Sequence, residues 1–523
     1  MVGDALYCNR FRKSTAVLRM SPSIPIMIKC GRQAIVAGAA IVALVAVAGC
    51  GRDHGDGTNN AVDYANDLQA RVVVDATMGH LQHLQDIADA NGGTRVAGSP
   101  GYDASVDYVA KTLRDKGFDV QTPEFTMKVF TVRKEQLTVN GKPVEAHVVD
   151  YSGATPAQGI TGRFVALPSD DDPGCTASDY DGLDVTGAIV LVDRKPCLLS
   201  EKAAAAAERG AVAIIIANTD EEAFFSGSME EEDDVKIPVL SVTKADGARL
   251  RSESGTATVI ADAGVETLKT RNVIAQTKTG STDNVVMVGA HLDSVQAGPG
   301  INDNGTGVAT ILETALQMGP SPEVANTVRF GFWGGEEEGL FGSNDYVESL
   351  DVEALKDIAL YLNFDMMASP NTCFFTSDAD QSLPPDTEAT ADQLIPEGSP
   401  GIERTLVSTI ERAGKTPQDL PFDGRSDYDG FTRAGIPAGN FDTGADNIKT
   451  PEQVKLWGGT AGQPCDPNYH TANDTIENIN RDALALNGGV IGYLVGLYAQ
   501  DEGGHNGVPV RDDRTRHPLP KEQ

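Results

Sequence analysis

The sequence predicts an α/β protein: a mostly parallel central sheet flanked by helices, with a second, smaller domain inserted. Three observations predict it. From Arg271 onward, short apolar strand-like runs alternate with amphipathic helical patterns, the signature of a parallel sheet covered by helices. Between about Val139 and Gly264 a separate strand–helix–strand pattern interrupts this regularity. Polar and acidic residues gather just after the apolar runs, where open α/β sheets bind their ligands.

The N-terminal region reads as a targeting segment. Lys29 and Arg32 precede an apolar run from Ala34 to Ala48. At about 15 residues this run is shorter than the ~20 of a spanning helix, and it has the basic start and small-residue end of a secretory signal. Its ending, Val47-Ala48-Gly49-Cys50, resembles a bacterial lipobox, which implies lipidation at Cys50 and anchoring to the outer face of the cytoplasmic membrane. The other reading is an ordinary signal peptide with an incidental cysteine. Residues 1–50 are therefore expected to be signal, with Met27 as a possible alternative start. Residues 51–62, rich in Gly, Asn and Asp, are expected to form a tether.

The main domain is expected over 63–138 and 265–501. Leu81, Leu84, Ile87 and Ala88 share one helical face. Tyr102, Val106, Val109 and Leu113 share another, closed by Gly117. The insert, 139–264, holds buried strands near Thr186–Val192, Ala213–Ala217 and Ile237–Val242, with an Ala-rich helix from Glu201 to Arg209. Back in the main domain, strands are expected at Val285–Ala290, Thr327–Trp333 and Ile358–Phe364. The helices between them carry Val308, Ile311, Leu312 and Ala315, then Leu340–Leu350. The tail, 502–523, is charged and unpatterned, and disorder is expected there.

Net charge is −33, from 75 acidic and 42 basic residues. This excludes a nucleic-acid partner, which needs a basic footprint. With the signal removed and Cys50 lipidated, Cys175, Cys197, Cys373 and Cys465 remain. An even number in an exported chain fits two disulfides, and locality suggests Cys175–Cys197 and Cys373–Cys465.

Elimination isolates the chemistry. Of eight histidines, His54, His505 and His517 lie in the tether and tail, His147 at the edge of the insert, and His80 and His83 on the first helix, where a surface position is expected. His291 and His470 remain, each in a polar cluster. His291 ends an apolar strand, and Asp293 two residues later is placed to accept its other ring N–H. Asp303 sits among glycines just before a helix, where a cap or turn role is equally open. Glu336, Glu337 and Glu338 follow a strand; three adjacent carboxylates repel, and a cation would offset them. Asp365 closes another strand and needs a partner. Mixed imidazole and carboxylate donors suit zinc, with manganese or cobalt as alternatives. Five such ligands and a water fit two metals about 3.5–4 Å apart with one carboxylate bridging.

The motifs Gly289-Ala290-His291-Leu292-Asp293-Ser294, Gly300-Ile301-Asn302-Asp303-Asn304-Gly305, Gly334-Gly335-Glu336-Glu337, Asn363-Phe364-Asp365-Met366 and Tyr469-His470 together resemble those of the co-catalytic di-zinc aminopeptidases, the bacterial leucyl aminopeptidase and aminopeptidase Y kind. The insert resembles a protease-associated domain, which implies a role in substrate access. The resemblance implies a zinc exopeptidase fold and peptide substrates with a free N-terminus. It implies that Asp303 bridges two zinc ions, that His291 and Asp365 complete one site, and that Glu337 and His470 complete the other. Glu336 would be the general base toward a metal-bridging water. Tyr469 and Arg425 would stabilise the oxyanion and hold the substrate terminus, while Glu336 and Asp365 would bind the α-amine. The peptide bond after Asp303 would be cis. Leucine-preferring members carry an aromatic where Asp442 stands, so a preference for N-terminal Arg or Lys is expected here unless Asp442 turns away to cap a loop. A same-fold hydrolase of other specificity, such as a carboxypeptidase or glutaminyl cyclase, and a non-catalytic binding protein stay open as alternatives.

Overall fold

The computed structural model describes residues 55–168, 174–219, 229, 237–383, 394–501 and 507–521. The signal segment, including Cys50, lies outside them.

The main domain is built on an eight-stranded sheet. Its centre is four mutually parallel strands, in the order Asn326–Trp333, Ser281–His291, Ile358–Phe364 and Ala438–Asp442. Antiparallel pairings flank them, through Val273–Gln276 and Asp119–Gln121 on one side and Phe375–Ser377 on the other. Parallel strands covered on both faces read as unbroken apolar runs. Ile358–Phe364 is buried at every position. The helices Val74–Ala90, Pro100–Lys116 and Gly307–Met318 join the central strands in one continuous apolar core. Ser99 caps the second of these by accepting the Tyr102 N–H, and Gly117 closes it in the left-handed region.

The insert forms a second eight-stranded sheet. Strands Glu124–Val139 and Gly255–Arg271 pair antiparallel along their length and carry the chain in and out. The expected boundaries at 139 and 264 therefore fall within this pair, and the second sheet already begins at Glu124. Near its base, Phe125 and Met127 pack with Phe341 and Leu268, so the insert braces the loop that follows Trp333. Both expected disulfides are present, Cys175–Cys197 and Cys373–Cys465, with Cα separations of 5.9 and 5.8 Å.

Two expectations are corrected. The tether, placed at 51–62, gives way at Gly55 to a helix running to Arg71. Its Ala61, Ala65 and Leu68 are buried. They lie against the glycine-lined face of helix Arg481–Gln500, where a Cβ on Gly496 would come within 2.8 Å of the Ala65 backbone. Helix Arg481–Gln500 is long and apolar enough to cross a membrane, but 72% of its apolar window is buried in the protein, as a core helix would be. The tail, expected to be disordered from 502, is ordered over the described 507–521. Arg514 and Arg516 are buried and donate to the carbonyls of Asp283, Lys356, Leu355, Ile358 and Gly435. Guanidinium groups here satisfy backbone acceptors near the starts of the central strands, a role that leaves no periodic trace in sequence.

Candidate active site

The carboxyl ends of the four parallel strands deliver most of the site. His291 ends one strand, Glu336 and Glu337 follow the next, Asp365 follows the third and Asp442 ends the fourth. Asp303 lies in the tight segment Ile301–Thr306 ahead of helix Gly307–Met318. The Asp303–Asn304 peptide bond is cis. His470 enters from a turn, with φ 55°.

The five expected ligands converge. His291 Nε2 lies 3.2 Å from Asp303 Oδ1 and 3.4 Å from Asp365 Oδ1. His470 Nε2 lies 3.2 Å from Asp303 Oδ2 and 3.1 Å from Glu337 Oε2. Asp303 thus belongs to two trios, with one oxygen toward each. Within each trio the donor atoms lie within 4.8 Å of one another. Glu336 belongs to neither trio, yet its Oε2 is 4.0 Å from His291 Nε2. The His291 side is closed, at 1% exposure, while His470 is 40% exposed and forms the open rim.

Asp293 faces the other ring nitrogen of His291 at 3.7 Å, just beyond hydrogen-bond length. Its second oxygen accepts the Glu337 N–H at 3.3 Å, so it ties the two ligand loops together. Ser426 Oγ donates to Asp365 Oδ2 at 2.9 Å and itself accepts from Asn363 Nδ2 at 2.8 Å.

Electrostatics follow from burying so many carboxylates. Burial pushes Glu336 well above the ordinary glutamate range, and its carboxylate neighbours add to the rise. Burial and Asp303 bring Glu337 to about 7. Burial alone would lower the His291 imidazole, but Asp365, Glu336, Asp293 and Asp303 drive it well above the usual histidine value. His470 likewise rises to about 10 against its burial, through Asp303 and Glu337. Asp303 moves down: its two histidine hydrogen bonds outweigh the burial that would raise it. Burial thus favours the protonated form of Glu336 and Glu337, while the two imidazoles favour the charged form of Asp303. Glu337 Oε1 and Asp365 Oδ1 are buried with no hydrogen-bond partner among the described residues, the mark of donors arranged for something other than each other. Two imidazoles and three carboxylates fit zinc.

A third acidic trio, Asp378, Glu403 and Asp419, differs. Asp378 accepts the Ser382 and Leu383 N–H groups, Glu403 accepts the Asp380 N–H, and Asp419 accepts the hydroxyls of Thr376 and Ser382. Its carboxylates are employed in folding a loop.

Beside the two metal-type trios opens a cleft of about 210 Å³ lined by Asp365, Arg425, Tyr469, Asp423, Asp442 and Asp446 among others. Tyr469 stacks on His470 with ring centroids 3.8 Å apart. Burial, followed by the surrounding carboxylates, pushes its phenol far up, so it stays a proton donor. Asp442 does both things open to it. Its oxygens accept from Gly444 N at 2.9 Å and Asn440 Nδ2 at 3.3 Å, capping the loop, and the residue also lines the cleft. Burial raises it to about 7.

Residues 272–495 match the model of peptidase family M28, and 160–250 match the PA domain. The probable lipoprotein aminopeptidase LpqL of Mycobacterium tuberculosis is 58% identical over 461 residues, covering 88% of this chain and 92% of that protein. This chain belongs to peptidase family M28. Leucine aminopeptidase 2 of Arthroderma otae is 38% identical, covering 86% of this M28 chain and 88% of its own length. Among solved structures, the zinc aminopeptidase BSAP of Bacillus subtilis superposes with a TM-score of 0.63 at 26% identity, covering 81% and 94% of the two chains. The aminopeptidase of Aneurinibacillus sp. strain AM-1 gives 0.62 at 26% identity, covering 82% and 95%.

Ser426, which donates to Asp365, was not among the expected site residues; it is adjacent to Arg425 in the chain, and that proximity was the available signal. His80, expected at the surface, is instead part-buried, bonded to Tyr108 Oη at 2.6 Å and to Glu313 Oε2 at 3.3 Å.

Proposed function

We propose that this M28 peptidase is a two-zinc aminopeptidase, exported and lipid-anchored at Cys50, that removes the first residue of peptides with a free N-terminus. The observation that carries it is Asp303: one carboxylate shared by two donor trios, with Glu336 beside them and in neither. His291, Asp303 and Asp365 would hold one zinc, and Asp303, Glu337 and His470 the other. Bound zinc supplies the Lewis acidity that makes water acidic and polarises a carbonyl. The anchor follows from the lipobox-like ending at Cys50 and from the lipoprotein name of the 58%-identical relative.

The protein's own groups divide the remaining work. Glu336 takes the proton of the attacking water and passes it to the leaving amine. Bound dications would offset the neighbouring carboxylates that add to its proton affinity, leaving it free to act as a base. Tyr469, held protonated, donates to the oxygen that becomes negative, and Arg425 lies on the same cleft wall to hold the substrate. Glu336 and Asp365 bind the α-amine, which restricts cleavage to the first peptide bond. Asp442, with Asp423 and Asp446 in the same cleft, favours a cationic first side chain. A leucine there would leave a desolvated carboxylate unmatched.

Glu336→Ala tests the mechanism: turnover of free-amine peptides should vanish while zinc content, measured by atomic emission, stays at the wild-type level. Retained turnover in that variant, or equal cleavage of N-acetylated peptides by the wild type, ends the proposal. Hydrolysis of Arg-, Lys- and Leu-anilides tests specificity, and a wild-type preference for Leu removes the role of Asp442.

A further inference from the structure

Arg95 lies in the turn between helices Val74–Ala90 and Pro100–Lys116 and is completely buried. Its guanidinium grips backbone. Nε donates to Pro299 O at 2.8 Å, and the terminal nitrogens donate to Gly300 O at 2.5 Å, to Leu292 O, and at the limit of 3.5 Å to Asp293 O. Its own N–H donates to Ser294 Oγ at 2.9 Å. These acceptors bracket the ligand-bearing stretch: Leu292 and Asp293 directly follow His291, and Pro299 and Gly300 directly precede the segment of Asp303.

The N–H groups of that segment turn the other way. Asp474 accepts them from Asn302 at 2.7 Å and from Asp303 at 3.0 Å, and its carbonyl accepts the Ile301 N–H at 3.2 Å. The chain passes between a cation on its carbonyl side and a carboxylate on its N–H side. Gly300 makes the passage possible. Its φ is +63°, and a Cβ there would stand 2.4 Å from Asp303 O and 2.5 Å from Ser294 Cβ. A lysine in place of Arg95 could not span this set: its ammonium is a single point, whereas the guanidinium presents five N–H groups in a plane.

We propose that Arg95, opposed by Asp474, is a positioning residue that sets the separation of His291 and Asp303 before metal arrives. Neither residue touches substrate in this scheme; both act through the bridging ligand. The inference rests on the two-zinc reading above.

The test uses the full chain stripped of metal. Zinc affinity is measured by competition with a chromophoric chelator, and thermal midpoints with and without zinc, for wild type, Arg95→Lys, Arg95→Ala and Asp474→Asn. Arg95→Lys and Asp474→Asn should each weaken zinc binding by about 10–100-fold, the usual effect of removing a group that orients metal ligands. They should also lose more of the zinc-induced rise in midpoint than of the metal-free midpoint. Added guanidinium ion should restore zinc affinity to Arg95→Ala and not to Asp474→Asn. A purely structural Arg95 lowers both midpoints alike and leaves zinc affinity unchanged in the folded protein; that result in Arg95→Lys and Asp474→Asn overturns the proposal. Should Arg95→Ala fail to fold, these two variants still decide it. A wild type that binds no zinc overturns the two-zinc reading instead.

Discussion

The two sheets of this protein invite a direct comparison. Each has eight strands, and each contains a run of four parallel ones. In the main domain those strands lead into His291, Glu336 and Glu337, Asp365 and Asp442. In the insert they end at Ala166, Asp193, Ala217 and Val242. Asp193 is neutralised by Arg251, and Thr243, next after Val242, caps helix Lys244–Leu250 by accepting the Asp246 N–H at 3.0 Å. The two runs differ in order: that of the insert follows the chain, whereas that of the main domain reverses at Ser281–His291, and open α/β sheets bind ligands where the order reverses. Among the described residues, only the main-domain strand ends bring histidine and carboxylate donors together, and that donor set, with the reversal of strand order, makes the site.

Five experiments press on this contrast. The largest effect is expected from Asp303→Asn, which removes the shared charge. Activity should fall by at least ~10³-fold, as happens when transition-state electrostatics are lost, and zinc stoichiometry should drop. Asp193→Asn, at the matching place in the insert, should leave kcat/KM unchanged and show only in thermal stability. Activity loss from Asp193→Asn, with the protein folded, would mean that the insert carries chemistry after all.

Next comes Asp442→Phe. The ratio of kcat/KM for Arg- over Leu-anilide should fall by about 10–200-fold, the span of a pocket contact worth ~1–3 kcal/mol. A ratio unmoved by the substitution means that the Asp442 carboxylate serves Gly444 and Asn440 alone.

A pH effect of smaller size should accompany it. Asp442 sits near 7 because burial raises it. It is neutral below that value and charged above, so the Arg-over-Leu ratio should rise with pH through about 7 and flatten on either side. Taking the ratio cancels Glu336 and the ligands, which serve both substrates, and Asp442→Asn should make it flat. The ligands themselves predict a second titration. Glu337 near 7 and His470 near 10 hold protons in the metal-free protein. Zinc must displace them, so zinc affinity should rise with pH across that range and binding should release protons. Calorimetry in buffers of different ionisation enthalpy measures the release; zinc uptake with no proton release would mean that these groups are already deprotonated.

The smallest effect on catalysis is expected from Ile215→Ala. Ile215 is fully buried in the core of the insert. The cavity should cost about 2–5 kcal/mol, while kcat/KM per folded molecule stays constant. A kinetic change at this distance would show that the insert's packing is coupled to the catalytic loop, through the Phe125, Met127 and Phe341 contact.

Much of the molecule was legible from residues alone, and the reason is locality. Strands such as Ile358–Phe364 are continuous apolar runs and declare themselves within a few residues. His291, Glu337 and Asp365 stand at or just after such runs, so each could be found from its own neighbours, and a parallel sheet then had to bring them together; Asp303 and His470 lie in turns and were named through the family motifs. Other features depend on partners far along the chain. Helix Gly55–Arg71 has the composition of a linker and becomes a helix by packing on Arg481–Gln500. Arg514 meets the carbonyl of Asp283 across 231 residues, and Arg95 meets Pro299 across 204. Most of their acceptors are backbone carbonyls, which leave no complementary residue type in the sequence, because every residue has a carbonyl. Which residues would supply ligands was written locally; which buried cation and which carboxylate hold those ligands in register was decided only when the chain closed on itself.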